Sequence, residues 1–325
     1  MPTRGILAYG AYLPYWRLNR ASIAEVTGTT AGRGHRSVAS FDEDTTTMGV
    51  EATRTALAGG APAPEALWFS TVAPAYLDKT NATAIHAALR FDAAIPAVDF
   101  SGAARSAVGA LRAALGSPSR TLVVASDLRV GRSGSSEESD GGDAAVAVLV
   151  GSGDEGPLLA EYLGGAAASA EFTDRWRIPG EAHSRTWEDR FGEQAYGPLV
   201  EKAWADALRA LGLEAGDVDR AVVTGLHRRA TARSAGALGV AGPTTWPPKW
   251  ATPGLPTRPF CWPTCSTVQK PTVWWPWSSW LTVAMFCCFA PLGPWGLVAR
   301  PGRCRSNWAI GPMFPTAATW PGGDC

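Results

Sequence analysis

The sequence predicts a layered α/β protein whose second half is cut short. Segments typical of strands and of helices alternate from residue 5 to about residue 240. Several strand-like segments are unbroken apolar runs, which suit strands that are buried on both faces of a sheet. The alternation stops near residue 240. We therefore divide the chain into a first half at 1–150, the start of a second half at 151–240, and an aberrant tail at 241–325.

The first half contains both types of segment in regular succession. Short apolar runs predict strands, and Ala-rich amphipathic runs predict helices. Asp44 or Thr45 is the expected N-cap of the first long helix, and Gly59 lies near its end. Polar residues 131–142 predict a loop. In chain order we predict a strand at 5–13, a helix at 44–60, a strand at 66–72, a helix at 81–91, a strand at 96–100, a helix at 104–116, and strands at 121–127 and 143–151.

The same pattern resumes in the second half and then ends. We predict a strand at 156–165, a helix at 196–212, a strand at 220–227 and the start of a helix at 230. The helix at 196–212 is amphipathic, because one face carries Val200, Ala203, Trp204, Leu208 and Leu211. Beyond residue 240 the chain holds 15 of its 25 prolines, which disfavour long helices and central strands.

Composition changes at the same point. All six Cys and 10 of the 15 Trp lie beyond residue 240, where Asp324 is the only acidic residue. Residues 1–240 carry 28 acidic and 23 basic residues, net −5, and the tail carries net +5. Neither part has the basic stripe of a nucleic-acid binder, and no segment has metal-ligand spacing. Arg4 and Gly5 interrupt the N-terminus, which makes a poor signal peptide, so we expect a cytoplasmic protein.

Several stretches of residues 5–240, taken in order, resemble the sequence motifs of one known family. SFDEDTTTMGVEA is similar to the family's DED-T-x-x-M-A-x-E-A helix, and AYLDKTNATAI keeps the Tyr and Lys of a family loop. GGDAAVAVLVG resembles the family's G-D-G-A-x-A strand. TDRWRIPG followed by DRFGEQAYGPLV resembles its D-F-W-R and R-F-T-G-E-P-A-Y stretches. Together these stretches resemble the thiolase superfamily. The most similar branch is the archaeal-type 3-hydroxy-3-methylglutaryl-CoA synthases, followed by 3-oxoacyl-acyl-carrier-protein synthase III.

The resemblance implies a thiolase-like α/β fold, with two similar halves in a layered α-β-α-β-α arrangement and the active site between them. It implies an acyltransferase that forms C–C bonds between acyl thioesters. It implies no cofactor other than the CoA thioester itself, which is substrate or ligand. The implied partners are acyl-CoA and, in a homodimer or hetero-oligomer, another thiolase-fold or OB-fold subunit. We expect no nucleic-acid partner and no membrane partner.

Carried over residue by residue, the family's catalytic groups are missing. In the family a Cys thiolate at a buried helix N-terminus takes the acyl group, because backbone N–H groups and the helix dipole stabilise it there. A Glu or an Asn/His pair handles proton transfer and the developing oxyanion. The family Cys falls on Ala104, the Glu on Val72 and the His on Thr224. Without a nucleophile, we expect condensation to slow by about a millionfold.

Other residues are weaker candidates for the site. Ser101 or Ser106 could replace the Cys, although neither has a convincing base partner and such a Ser commonly caps or packs. His227 lies where the family has an Asn, and it could equally be a surface residue of an Arg-rich loop. Arg229 matches a family Lys that faces CoA phosphates, and Lys79 is the Lys of the family loop. Two functions stay open: an acyltransferase with a displaced catalytic set, or a non-catalytic partner subunit that binds CoA or a second subunit.

Three interpretations compete for the tail. Lys270 and Arg300 bracket 29 uncharged residues, and a membrane span needs roughly 20, but four prolines interrupt the run. Cys261 and Cys265 could belong to a metal or redox module, but they lack a second pair at zinc spacing and the tail has no His. The third interpretation is translation in the wrong reading frame, which we favour.

A change of frame can be tested on the protein sequence. Arg outnumbers Lys 25 to 4, which is typical of a GC-rich gene. When the last base of each codon is joined to the first two of the next, Trp246–Pro247 becomes Ala and Met285–Phe286 becomes Val. We take G or C as the third base of each codon, except that codon 251 ends in A. Residues 246–266 can then read A-A-E-V-G-N-A-G-A-A-H-A-A-L-L-L-A-D-V-L-D. This string resembles the family's G-N-x-x-A-A helix start. Residues 281–290 can read D-G-G-D-V-L-L-L-R, which resembles its last core strand. These strings place the break between about Gly239 and Trp246.

Overall fold

The computed structural model describes residues 3–29, 34–103, 105–240, 244–245, 272–273 and 283–291. Its strands are β1 (Arg4–Tyr12), β2 (Trp16–Asn19), β3 (His35–Val38), β4 (Ala66–Thr71), β5 (Ala97–Ser101), β6 (Thr121–Asp127), β7 (Ala144–Ser152), β8 (Ala160–Ser169), β9 (Arg175–Trp176), β10 (Arg185–Thr186), β11 (Val222–Val223), β12 (Thr244–Thr245), β13 (Thr272–Val273) and β14 (Val283–Pro291). Its helices are α1 (Arg20–Thr27), α2 (Thr45–Leu57), α3 (Ala82–Ala88), α4 (Ser106–Gly116), α5 (Ser136–Asp140), α6 (Asp189–Leu211) and α7 (Arg228–Ala237), with a 3₁₀ turn at Ala215–Asp217.

One mixed sheet organises the described part of the chain. Its strand order is β13-β14-β8-β1-β7-β6-β4-β5. Strands β4, β5 and β6 run parallel, and β7 runs antiparallel to both β6 and β1. Strands β1 and β8 pair antiparallel, with Gly5 opposite Glu161. A Cβ on Gly5 would lie 2.1 Å from the carbonyl oxygen of Ala160, so this contact requires glycine. The two halves of the protein therefore meet backbone to backbone.

Helix α2 forms the core of the first half. It packs against β1 and β7. Asp44 is its N-cap, as predicted, because Asp44 Oδ1 accepts hydrogen bonds from the N–H groups of Thr46 (2.8 Å) and Thr47 (2.7 Å). Strand β6 is buried along most of its length, as its unbroken apolar run predicts. The largest buried side chains of this core are Met48, Leu67, Phe69, Ile85, Leu122 and Leu149.

Helix α6 forms the core of the second half with α7 and β11. Its predicted apolar face is confirmed: Val200, Ala203 and Trp204 are buried. The indole N–H of Trp204 donates to the carbonyl oxygen of Leu238 at 3.1 Å, which ties α6 to the end of α7. The helix begins at Asp189, seven residues before the predicted start.

Three predictions about local structure are wrong. The expected loop at 131–142 contains the short helix α5, which Ser135 caps by accepting from the N–H of Glu138 at 3.2 Å. The strand predicted from residue 156 begins at Ala160, because Pro157 has no N–H to give to the sheet. The strand predicted at 220–227 contains only Val222 and Val223, since the chain turns at once toward α7.

The tail also differs from expectation. We expected no central strand there, yet β14 lies between β13 and β8 in the sheet. Its residues 283–290 contain no proline, and Pro291 is its last residue, so the backbone ladder is not interrupted. Among the described residues, no helix combines the length and the apolar composition that crossing a bilayer requires. Cys261, Cys265 and most of the uncharged run lie outside the described residues.

Candidate functional site

The carboxyl ends of three parallel strands meet at one edge of the sheet. Strands β4, β5 and β6 are neighbours there, and they end at Thr71, Ser101 and Asp127. In open α/β sheets, ligands bind outside the carboxyl ends of parallel strands. Val72 follows directly on β4, so the residue that the resemblance assigns to the family's Glu lies at this edge. The chain leaves β5 at the same edge and then enters α4, the helix expected to follow the family's Cys position.

The carboxylate of Asp127 binds the backbone of Val72. The N–H of Val72 donates to Asp127 Oδ1 at 2.8 Å, and the hydroxyl of Thr71 donates to the same oxygen at 3.2 Å. Asp127 Oδ2 accepts from Arg129 at 3.1 Å. Burial raises the pKa of the Asp127 carboxyl, against the opposing charge of Arg129 and the hydrogen bonds from Val72 and Thr71. The backbone of Val72 has a second partner, because the guanidinium of Arg177 donates to its carbonyl oxygen.

Ala104 lies outside the described residues, in the short connection between β5 and α4. The flanking residues define a strand, a turn and a helix start. Gly102 has φ +106°, a conformation that favours glycine. The hydroxyl of Ser106 donates to the carbonyl oxygen of Ser101 at 3.2 Å, so it serves the turn. The helix start expected near the family's Cys position is therefore present.

Thr224 and His227 lie in the turn between β11 and α7. The hydroxyl oxygen of Thr224 is buried and has no hydrogen-bond partner among the described residues. His227 is the N-cap of α7, because its Nδ1 accepts from the N–H of Ala230 at 3.1 Å. Nδ1 therefore carries no proton in this arrangement, and the neutral imidazole has its proton on Nε2. His227 is therefore more than a surface residue of a loop, because its side chain caps the N-terminus of α7.

Helix α6 determines where the His227 ring lies. The ring centroids of His227 and Tyr196 are 6.1 Å apart. A Cβ on Gly192 would lie 3.0 Å from Cδ2 of His227 and 3.1 Å from a ring carbon of Tyr196. The hydroxyl of Tyr196 donates to Asp174, and burial together with this hydrogen bond raises the pKa of Tyr196. Tyr196 therefore stays a protonated donor that anchors the aromatic wall beside His227.

A network of ion pairs, hydrogen bonds and one ring contact links the Val72 group to the His227 group. Glu137 Oε1 lies 3.9 Å from Arg129 and also accepts from Arg175. Burial, and then the charges of Arg129 and Arg177, lower the pKa of Arg175 from its ordinary value. Asp174, the neighbour of Arg175 in sequence, is the partner of Tyr196, whose ring lies beside that of His227. The network crosses from the first half to the second, and its last steps are the peptide bond between Asp174 and Arg175 and the contact of two rings.

The two residues predicted to bind CoA lie outside this network. Lys79 is exposed, and its ammonium lies 4.3 Å from the ring centroid of Tyr76. Arg229 is exposed in the first turn of α7. Both side chains are accessible to an anionic ligand.

Sequence reasoning missed the polar residues that connect these groups. Asp127, Arg129, Asp174 and Tyr196 were not identified as site residues. One signal for Asp127 was available, because a carboxylate that ends a buried parallel strand lies where ligands bind in α/β sheets. The partners of Asp174 and Arg175 had no such signal, since they lie on other elements.

The chain has relatives among known proteins. No family model matches the chain. A hydroxymethylglutaryl-CoA synthase from Pyrococcus furiosus is 31% identical over 227 residues, which cover 67% of this chain and 65% of that protein. The chain therefore spans slightly less than two thirds of the length of this relative.

Two solved structures show the same fold. A crystal structure of a hydroxymethylglutaryl-CoA synthase complexed with CoA has a TM-score of 0.63 and 19% identity, covering 71% of this chain and 62% of that chain. The 3-oxoacyl-(acyl carrier protein) synthase III from Pseudomonas aeruginosa PAO1 has a TM-score of 0.63 and 19% identity, covering 73% and 80%. The chain is therefore a thiolase-superfamily protein similar to hydroxymethylglutaryl-CoA synthase and 3-oxoacyl-acyl-carrier-protein synthase III.

Proposed function

We propose that this chain handles acyl-CoA as a condensing-enzyme homologue of the hydroxymethylglutaryl-CoA synthase type, and that its own C–C bond formation is impaired. The observation that carries the proposal is Val72. It lies at the carboxyl edge of the sheet, bonded through its backbone to Asp127 and Arg177, and the resemblance assigns the family's Glu to this residue. An isopropyl side chain there cannot transfer a proton. In the same way, Ala104 offers no nucleophile where the family has Cys, and Thr224 offers no imidazole where the family has His.

Groups that can bind the phosphates of CoA remain, although the catalytic side chains are absent. The N-terminus of a helix favours anions, and α7 begins close to Thr224 with Arg229 exposed. Lys79 adds a second exposed cation. Phosphate groups of CoA suit both side chains. The solved hydroxymethylglutaryl-CoA synthase relative holds CoA, which supports a CoA thioester as the ligand of this chain and no separate cofactor.

Calorimetric titration with CoA and acetyl-CoA tests the binding part of the proposal. We expect both to bind. Loss of one exposed charge contact is worth about 1 kcal/mol, so Arg229→Ala should weaken CoA binding by about fivefold. Arg233→Ala is the matched control, because Arg233 is exposed on the same helix one turn further on. A folded protein that binds neither ligand would contradict the proposal, and so would equal losses in the two variants.

Release of free CoA from acetyl-CoA tests the impairment. We expect no release above background, because a missing nucleophile lowers the rate by about a millionfold. Activity that Ser106→Ala abolishes would show instead that a displaced nucleophile works. The hydroxyl of Ser106 donates to the turn at Ser101, so a stability measurement on the same variant must accompany the assay.

A non-catalytic partner subunit is the second candidate function. Its support is that Ala104, Val72 and Thr224 are changed together while the fold and the helix starts are kept. In this role the chain would bind CoA or a second subunit in the cytoplasm, as a homodimer or with another thiolase-fold or OB-fold subunit. Light scattering with and without CoA measures the assembly. A monomer at every concentration that binds CoA without turnover would contradict the homodimer.

A further inference from the structure

Three guanidinium groups gather at the carboxyl edge of the sheet. We call their residues the arginine group: Arg129, Arg175 and Arg177. The guanidinium of Arg129 lies 3.1 Å from Asp127 Oδ2 and 3.9 Å from Glu137 Oε1. Arg175 donates to the same oxygen of Glu137, so two guanidinium groups share one carboxylate oxygen.

Arg177 is the exposed member of the arginine group. One of its nitrogens donates to the carbonyl oxygen of Val72, which is a neutral acceptor. A guanidinium has five N–H donors, so the side chain can also donate to a ligand that arrives from solvent. Burial lowers the pKa of Arg175 to about 9, and the charges of Arg129 and Arg177 are the next causes. The like charges of the group therefore repel one another.

The arginine group carries more positive than negative charge. Its carboxylate partners are Asp127 and Glu137, and burial raises the pKa of the Asp127 carboxyl, which disfavours its charged form. Other carboxylates of the adjoining segments bind elsewhere. They are Asp140 with Arg20, Asp174 with the hydroxyl of Tyr196, Glu138 with the N–H of Gly134, and Glu181 with Arg185. A further anion beside Arg177 would reduce the repulsion within the group.

Two differences from the family's sequence pattern make this edge more positive. The resemblance assigns the family's Glu to Val72, where this chain has no negative charge. Residues 174–177 resemble the family's D-F-W-R motif, and Arg175 stands where that motif has Phe. A carboxylate side chain at residue 72 would repel an anionic ligand beside Arg177, and valine does not.

We infer that Arg177 binds the free carboxylate of an acyl thioester whose acyl group ends in a second carboxyl group. The N–H donors of a guanidinium match the two oxygens of a carboxylate. The apolar side chain of Val72 suits the methylene part of such an acyl group, and Arg129 and Arg175 add to the positive field. The inference rests on the proposed function, because it names the acyl group of the same ligand.

Calorimetric titration with succinyl-CoA and butyryl-CoA tests this assignment. Their acyl groups have equal numbers of carbon atoms, and only the succinyl group ends in a carboxylate. We expect the wild type to bind succinyl-CoA about tenfold more tightly, because a charge-assisted hydrogen bond can supply that difference. Arg177→Gln should remove the preference, and Arg177→Lys should keep part of it. Arg209→Gln is the matched control, since Arg209 is an exposed arginine in the last turn of α6, and it should keep the whole preference.

Three results of this titration would overturn the inference. The first is equal affinity of the wild type for the two thioesters, which would leave CoA binding itself intact. The second is a preference for succinyl-CoA that survives Arg177→Gln. The third is an equal loss of affinity for free CoA and for succinyl-CoA in Arg177→Gln, because Arg177 would then bind a phosphate of CoA.

Thermal unfolding with free succinate provides a second test that needs no CoA. A ligand that binds only the folded state stabilises it, so saturating succinate should raise the Tm of the wild type by about 3 °C. Arg177→Gln should show no such rise. An equal rise with sulfate at the same ionic strength would mean that any anion binds, and it would overturn the assignment to a carboxylate, as would no rise at all. If CoA fails to bind but succinate stabilises the wild type through Arg177, the proposed function fails and the carboxylate site stands.

Discussion

The N–H of Val72 donates a 2.8 Å hydrogen bond to the carboxylate of Asp127. This bond joins the ends of β4 and β6 at the edge of the sheet where the candidate site lies. Because it uses only the backbone of Val72, it is compatible with any side chain at that position. The bond would therefore form with valine or with an acidic side chain at residue 72.

Removal of the Asp127 carboxylate should destabilise the first half. Asp127→Ala leaves the N–H of Val72 and the guanidinium of Arg129 without this partner, and loss of one member of a buried charge pair costs about 3–5 kcal/mol. Urea unfolding measures the change. Asp154→Ala, at an exposed turn after β7, is the control and should change stability by less than about 0.5 kcal/mol. Equal effects of the two substitutions would contradict this role of Asp127.

The N-cap of α2 should make stability depend on pH. Partial burial alone would raise the pKa of Asp44, but hydrogen bonds from Thr46 and Thr47 outweigh it and hold the pKa below its ordinary value. A lowered folded-state pKa contributes stability above the unfolded value of about 3.9, and that contribution is lost as the pH falls through the folded value. Asp44→Ala should cost about 1 kcal/mol at pH 7.

The difference between wild type and Asp44→Ala should shrink as the pH falls below the unfolded value of about 3.9, when both are unfolded in urea across the pH range. Asp42→Ala is the control, since Asp42 is exposed two residues before the cap. A difference that stays constant down to low pH would show that ionisation of Asp44 contributes nothing.

Two glycines of α6 should respond in opposite directions to the same substitution. Gly192→Ala places a methyl group 3.0 Å from His227 and 3.1 Å from Tyr196, and overpacking of this kind costs about 1–3 kcal/mol. Gly197→Ala meets nothing within 4 Å and should stabilise the helix by about 0.5–1 kcal/mol. Thermal unfolding of the pair measures both signs. Stabilisation by both substitutions would mean that the His227 ring is not held against α6.

The indole of Trp204 should matter for the second half. Trp204→Phe removes the donor to the carbonyl oxygen of Leu238 and should cost about 1–3 kcal/mol, because a buried acceptor loses its partner. Trp187→Phe is the matched control, since Trp187 is 60% exposed. Urea midpoints of the two variants should differ clearly. Identical midpoints would mean that this bond does not connect α6 and α7.

Local patterns in the sequence were sufficient for most elements of the first half. The cap at Asp44 and the apolar run of β6 depend on neighbouring residues, so periodicity and capping rules identify them. The antiparallel pair β2 and β3, with α1 between them in the chain, was missed, because its strands are short and the segment lacks a clear apolar period. The start of β8 was misplaced, because residues 156–159 are apolar although Pro157 cannot pair.

The order of most elements and the thiolase-like fold follow from the sequence alone, and the absence of catalytic side chains at Ala104, Val72 and Thr224 stays a prediction that the resemblance makes. Which residues meet follows from the tertiary structure. Val72 reaches Asp127 because β4 and β6 are neighbours in the sheet, and β14 of the tail pairs with β8. Contacts between distant segments depend on strand order and direction, and local sequence patterns carry no information about either.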